Sequence, residues 1–178
     1  MPLQSVSHAD DDIIIRPLLA GDSLDDLTAL LHRAYAQLAA MGLRYMATHQ
    51  SVEVTRKRVE QGKCLVAVAD GVLWGTIVVK DASQTRGCPW YDRPDVASIG
   101  QFGVEPRLQG KGLGRRLMAM AEALALTSGA REIALDTAEP ATHLVEWYTR
   151  LDYRHIEYAQ WSHTNYRSVI MSKPLPSS

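Results

Sequence analysis

What is scarce in this sequence excludes more than what is abundant. Cysteine occurs twice, at Cys64 and Cys88, too few for a disulfide scaffold or a structural zinc site. A reduced, cytoplasmic chain with no bound metal is the simplest expectation. No apolar run approaches the ~20 residues needed to cross a bilayer, so no membrane partner is expected. A charge excess of either sign is also missing: 19 Lys and Arg face 20 Asp and Glu, for a formal net charge of −1. Wrapping nucleic acid or coating an acidic membrane needs a basic surplus, so a nucleic-acid partner is not expected either. The opening stretch MPLQSVSHADDD is acidic and polar and fits neither a secretory signal nor an Arg-rich transit peptide. Internal repeats and low-complexity tracts are absent.

What is present suffices for one core. Of the 178 residues, 46% are hydrophobic, which suits a single ordinary domain. Residues 1–11 read as a loose polar arm and 12–175 as the domain. A first strand is expected at Ile13 to Arg16, stopped by Pro17. Asp22 or Ser23 then caps a helix with the stripe Leu24, Leu27, Leu31, Ala34, Leu38, ended by Gly42. A more polar helix follows from Ser51 to Gln61. Two β-rich runs, 64–69 and 72–80, flank Asp70-Gly71, a strong hairpin signal. Residues 81–95, with Pro89, Trp90, Tyr91 and Pro94, read as a long, mobile, functional loop. A strand at 98–104 leads into a glycine-rich segment and a helix with the stripe Leu113, Leu117, Met120, Leu124. A strand at 133–136, a helix at 141–151 and strands at 155–161 and 169–173 complete the order. The one strand–helix–strand crossover, over 98–136, should pair its strands in parallel. The fold class expected is therefore α/β (α+β): a mixed, mostly antiparallel sheet of about seven strands with helices on both faces.

The glycine-rich segment is Gln109-Gly110-Lys111-Gly112-Leu113-Gly114, followed by Arg115 and Arg116. Glycines at a helix start let backbone N–H groups turn toward an anion, and the helix N-terminus adds partial positive charge. This describes a phosphate or pyrophosphate cradle. The P-loop signature is absent, because no Ser or Thr follows Lys111. The dinucleotide pattern G-x-G-x-x-G falls one residue short, and residues 105–109 separate the glycines from the strand.

The arrangement resembles the GCN5-related N-acetyltransferase (GNAT) family. The resemblance is carried by Phe102-Gly103-Val104-Glu105-Pro106, and by Gln109 to Gly114, which fits the Arg/Gln-x-x-Gly-x-Gly/Ala loop of that family. Leu144-Val145-Glu146-Trp147-Tyr148 and Leu151-Asp152-Tyr153 match its late helix and turn. It implies acetyl-CoA as cosubstrate, held by Phe102, Val104, Gln109, Gly110, Lys111, Gly112, Leu113, Gly114 and Arg115. It implies direct transfer to a primary amine of a small molecule or peptide. Val104 would offer its backbone N–H to the carbonyl oxygen, in a strand bulge that Gly103 would permit. Tyr148 would act as general acid, although a Trp-Tyr pair in an amphipathic helix also simply packs.

A glutamate that serves the family as base on the central strand is missing; Ser98, Ile99, Gly100 and Gln101 stand there. Asp136, at the end of the strand after the crossover, is the leading substitute. Asp92, Asp95, Glu105, His143 and a water chain stay open. The resemblance assigns the acceptor side to Tyr35, Arg44, Tyr45, His49, Trp90 and Tyr91, although Met41 to Met46 reads equally as a packed joint. The missing glutamate also motivates an alternative, a non-catalytic acyl-CoA-binding regulatory module. A homodimer stays open as a partner.

Overall fold

Fourteen short elements assemble around one twisted sheet in the computed structural model, which describes residues 12–177. The arm assigned to residues 1–11 lies outside the described residues. The strands are β1 (Ile14–Pro17), β2 (Lys63–Ala69), β3 (Val72–Lys80), β4 (Val96–Val104), β5 (Glu132–Ala138), β6 (Arg154–Ala159) and β7 (Ser168–Pro174). The helices are α1 (Leu24–Ala34), α2 (Ala36–Ala40), α3 (Val52–Glu60), α4 (Leu113–Thr127) and α5 (Thr142–Arg150), with 3-10 turns at Met46–Thr48 and Pro106–Leu108. The sheet order is β1-β2-β3-β4-β5-β7-β6. Among the described residues, only β4 and β5 pair in parallel. Among the described residues, no helix is long and apolar enough to cross a membrane.

Period-2 alternation sorts the strands' side chains onto two faces. Leu65, Ala67 and Ala69 of β2 meet Leu117, Met118, Ala121 and Ala125 of α4, while Cys64, Val66 and Val68 meet Leu27 and Leu30 of α1. Each fully buried leucine in these layers contributes roughly 1.5–3 kcal/mol relative to exposure. Asp70 (φ 50) and Gly71 (φ 73) both take the left-handed conformation that a two-residue hairpin needs. Both cysteines are 7% exposed and free of disulfides, and burial pushes their thiols up to about 11.

Three local expectations are corrected. The first helix breaks at Tyr35 (φ −99, ψ 2), giving α1 and α2. There the Tyr35 hydroxyl donates to the Phe102 carbonyl at 2.7 Å, tying the break to β4. The bulge in β4 falls on Gln101 and Phe102, which together oppose Ile77, and Gln101 has φ 46. Gly103 is instead paired with Thr76. A Cβ on Gly103 would stand 3.0 Å from the Ala34 Cβ, so this glycine lets α1 approach the strand. The third correction is the segment 81–95. Cys88 and Tyr91 pack against Val96, Ala134 and Ile170, and Trp90 N–H donates to Glu157 at 3.0 Å. It is a packed cover on the α1–α3 side of the sheet.

The bulge matters for the site. β4 pairs with β5 only over Val96–Ser98 against Glu132–Ala134. Past that point β4 stays with β3, as far as Val104 against Gly75, while β5 stays with β7, as far as Ala138 against Ser168. The sheet therefore opens into a wedge between β4 and β5.

Candidate active site

A cleft of about 650 Å³ occupies that wedge. On one side lies the loop between β4 and α4. Gly110 (φ 79) and Gly112 (φ 93) are left-handed, and a Cβ at either would meet nothing within 4 Å. Gly112 occupies the N-cap of α4 with no side chain capping the helix, so the first N–H groups of α4 are left for another acceptor. Gly114 serves differently: a Cβ there would lie 3.3 Å from Phe102 and 3.4 Å from Trp147, whose rings stack at 5.8 Å. Gln109 donates to the Val104 carbonyl at 3.2 Å, fastening the loop to the strand end. Arg115 lines the cleft, whereas Arg116 donates to the Ile13 carbonyl at 2.8 Å and fastens α4 to the strand edge. Leu113 is buried in the core.

Val104 sits at the mouth of the wedge. Glu105 N–H donates to the Trp74 carbonyl at 2.8 Å. Antiparallel hydrogen bonding alternates along a strand, so the preceding N–H, that of Val104, points away from β3 and into the opening. Tyr148, 8% exposed, lines the same space. Its ring packs edge-on against Trp147 and Tyr153, so it packs and faces the cleft at once. Burial holds its phenol well above the ordinary value, so the hydroxyl keeps its proton at neutral pH.

Across the wedge, Asp136 accepts from the Tyr91 hydroxyl at 2.7 Å and from Trp161 Nε1 at 3.0 Å. These two bonds orient the carboxylate, and each oxygen keeps a second lone pair. The Tyr45 and Thr137 hydroxyls share a hydrogen bond of 2.8 Å, and Tyr45 Oη accepts from Ala138 N–H at 2.9 Å, closing the far end of the opened strand. Of the other base candidates, His143 lines the cleft. Glu105 is ion-paired with Arg33 at 2.8 Å, Asp95 with Arg93 at 2.9 Å, and Asp92 accepts from Gly87 N–H at 3.1 Å; none of the three lines it.

The proposed acceptor residues divide. Tyr35 and Tyr45 line the cleft, and Tyr91 reaches it through Asp136. Arg44 and Trp90 do not line it: Arg44 is an exposed residue whose N–H donates to Asn165 at 2.8 Å, and Trp90 lies beneath Arg93 and Arg154. His49 is exposed and also lies outside. Arg58 and Tyr166 also line the cleft, although no sequence pattern marks either. Arg58 sits on a helix that reads as polar surface, and Tyr166 in a connection without a pattern.

Known proteins resemble the chain in sequence and in architecture. The chain is 28% identical over 134 residues to S-(2-succino)cysteine N-acetyltransferase of Bacillus subtilis, spanning 72% of this chain and 77% of that one. A solved Pyrococcus horikoshii structure superposes with TM-score 0.70 at 20% identity, over 93% of this chain and 99% of the other. A GNAT family acetyltransferase from Elizabethkingia anophelis, solved with acetyl-CoA bound, superposes with TM-score 0.65 at 17% identity over the same shares. Residues 26–153 match the Acetyltransferase (GNAT) family, and the chain belongs to it.

Proposed function

We propose that this acetyltransferase moves an acetyl group from acetyl-CoA directly to a primary amine of a small molecule. The carrying observation is the wedge: Val104 N–H turns into an opening that has a glycine cradle on one side and an oriented carboxylate on the other. The cradle fits a pyrophosphate. Two left-handed glycines face open space at an uncapped helix N-terminus, beside Arg115. Acetyl-CoA supplies an activated acyl thioester. Every other requirement falls to the chain. Val104 N–H stabilises charge on the carbonyl oxygen, a role usually worth several kcal/mol. Tyr148 holds a proton for the departing sulfur. Asp136 takes a proton from the incoming ammonium, so that a neutral amine attacks. The curated relative named for an amino-acid derivative, S-(2-succino)cysteine, supports a small-molecule acceptor over a protein one.

The test is thiol release from acetyl-CoA with a panel of amino acids, polyamines and peptides. Acceptor-dependent thiol release, with the acetylated amine identified by mass, is the expected result. Tight CoA binding without turnover on any amine would overturn the reading in favour of a regulatory module.

A further inference from the structure

One part of the cleft has no role in the reaction as described. On the α1–α3 side of the sheet, between α3 and the packed segment 81–95, lies a second cavity of about 110 Å³. Its floor is Val78 and Lys80 of β3 with Ser98 and Gly100 of β4; Arg58 and Arg86 stand at its sides. It shares Arg58, Gly100, Gln101 and Asp136 with the main cleft, so the two spaces adjoin at Gln101. At ~30 Å³ per water, the cavity has the volume of three or four waters, room for a carboxylate and a methylene.

The hydrogen bonds around Gln101 run in one direction. Arg58 Nη1 donates to Gln50 Oε1 at 2.7 Å. A guanidinium only donates, so this bond fixes which end of the Gln50 amide is oxygen. Gln50 Nε2 then donates to Thr55 Oγ1 at 2.8 Å and to Gln101 Oε1 at 2.6 Å. Gln101 is left presenting its own NH2 group, and that nitrogen is buried with no hydrogen-bond partner among the described residues. The residue is 5% exposed and is held at φ 46 in the bulge. A buried donor without an acceptor and a left-handed non-glycine backbone are both costly, and they coincide at one residue that borders both spaces.

The charges point the same way. Among the described residues neither Arg58 nor Lys80 has an ion-pair partner, although burial works against the charge on both. Asp136, which also lines the cavity, steadies both charges through space but takes its hydrogen bonds from Tyr91 and Trp161. The missing partner is an anion that accepts hydrogen bonds. We propose that this cavity seats a carboxylate of the acceptor, against Gln101 Nε2, Arg58 and Lys80. The substrate is then an amine that carries an acid group, such as an amino acid or a derivative. Asp136 borders both spaces and attracts the ammonium, so the acceptor enters with its amine toward the main cleft and its acid group toward Arg58 and Lys80. This inference rests on the acetyl-transfer reading of the main cleft.

The experiment uses matched amines, each amino acid against its α-amide and its decarboxylated analogue, with succinate as a probe that cannot react. The wild type should favour the acid-bearing member by ~10²-fold or more in kcat/KM, because its buried donors go unpaired with the other members. Lys80→Met and Gln101→Met should each shrink that preference by ~10-fold, mainly through the acceptor KM, and Lys80→Arg should restore part of it. Calorimetry should show succinate binding to the wild type and its loss in Lys80→Met. Turnover that is indifferent to the acid group overturns the subsite while leaving acetyl transfer standing. If no amine reacts, the acetyl-transfer reading fails, and succinate calorimetry still decides the cavity. Absence of succinate binding would mean that it holds water only, and the proposal falls.

Discussion

The two ends of the cleft are built from different parts of the chain. The donor end is backbone: a single stretch, 109–115, supplies left-handed glycines and helix N–H groups, and its only charged contribution to the cleft lining is Arg115. The acceptor end is side chains drawn from the break between α1 and α2, from α3, β4 and β5, including Tyr35, Arg58, Gln101 and Asp136. Backbone groups are the same whatever residues carry them, so the donor end can bind its ligand without regard to the acceptor. Side chains can change one at a time, so the acceptor end is where this chain sets its own preference. Variants at one end should therefore leave the ligand of the other end largely alone.

Tyr148 stands where the two ends meet, and its loss should be the largest effect and blind to the acceptor. Tyr148→Phe keeps the packing against Trp147 and Tyr153 and removes the proton. We expect kcat to fall by ~10²–10⁴ with every amine, with little change in either KM. Because burial raises this phenol above its ordinary value, the acid form persists as pH rises. Wild-type kcat should thus show no alkaline decline from this group between about pH 6 and 9. A rate loss that varies from one amine to another would break the division between the ends.

Gly112→Val comes next. A side chain at φ 93 costs about 1–2 kcal/mol in strain. It would also enter the open space before the helix N-terminus, weakening CoA by roughly ten-fold, or about 1.4 kcal/mol. Calorimetry should find that loss alongside a lower melting temperature, while the ranking of acceptors stays as in the wild type. Unchanged CoA affinity would remove the cradle. Arg115→Ala should be the mildest, a few-fold weaker CoA binding at low salt that shrinks as added salt screens the attraction. A loss independent of salt would show that Arg115 holds structure instead.

The same division explains how much the sequence could tell. Asp70-Gly71 and the 109–114 loop are legible because glycine spacing encodes backbone conformation locally. The parallel β4–β5 pair is legible because a lone crossover leaves little choice. Gln101 is not legible, since nothing local marks a glutamine for positive φ; the sequence points to Gly103 for that freedom, and the fold uses Gly103 to admit Ala34. Arg58 lies on a helix whose pattern reads as solvated, yet it turns inward and bonds Gln50. Trp90 and Arg44 look like substrate residues by type, yet packing and exposure place them elsewhere. The segment 81–95 is long enough to read as a mobile loop, but its aromatics fill the hollow over β5 and β7.

The buried cysteines have a consequence for an enzyme whose product is a thiol. Disulfide exchange proceeds through thiolate, and a thiol pushed up to about 11 is under ~0.1% ionised at pH 7.5. Cys64 and Cys88 also lie beneath packed side chains, where a molecule the size of CoA has no approach. Each cycle releases a nucleophilic sulfur into the neighbourhood of a protein that offers it nothing to exchange with. A chromogenic disulfide reagent added to the native enzyme should therefore report turnover with almost no background, and oxidised CoA should leave the protein unmodified.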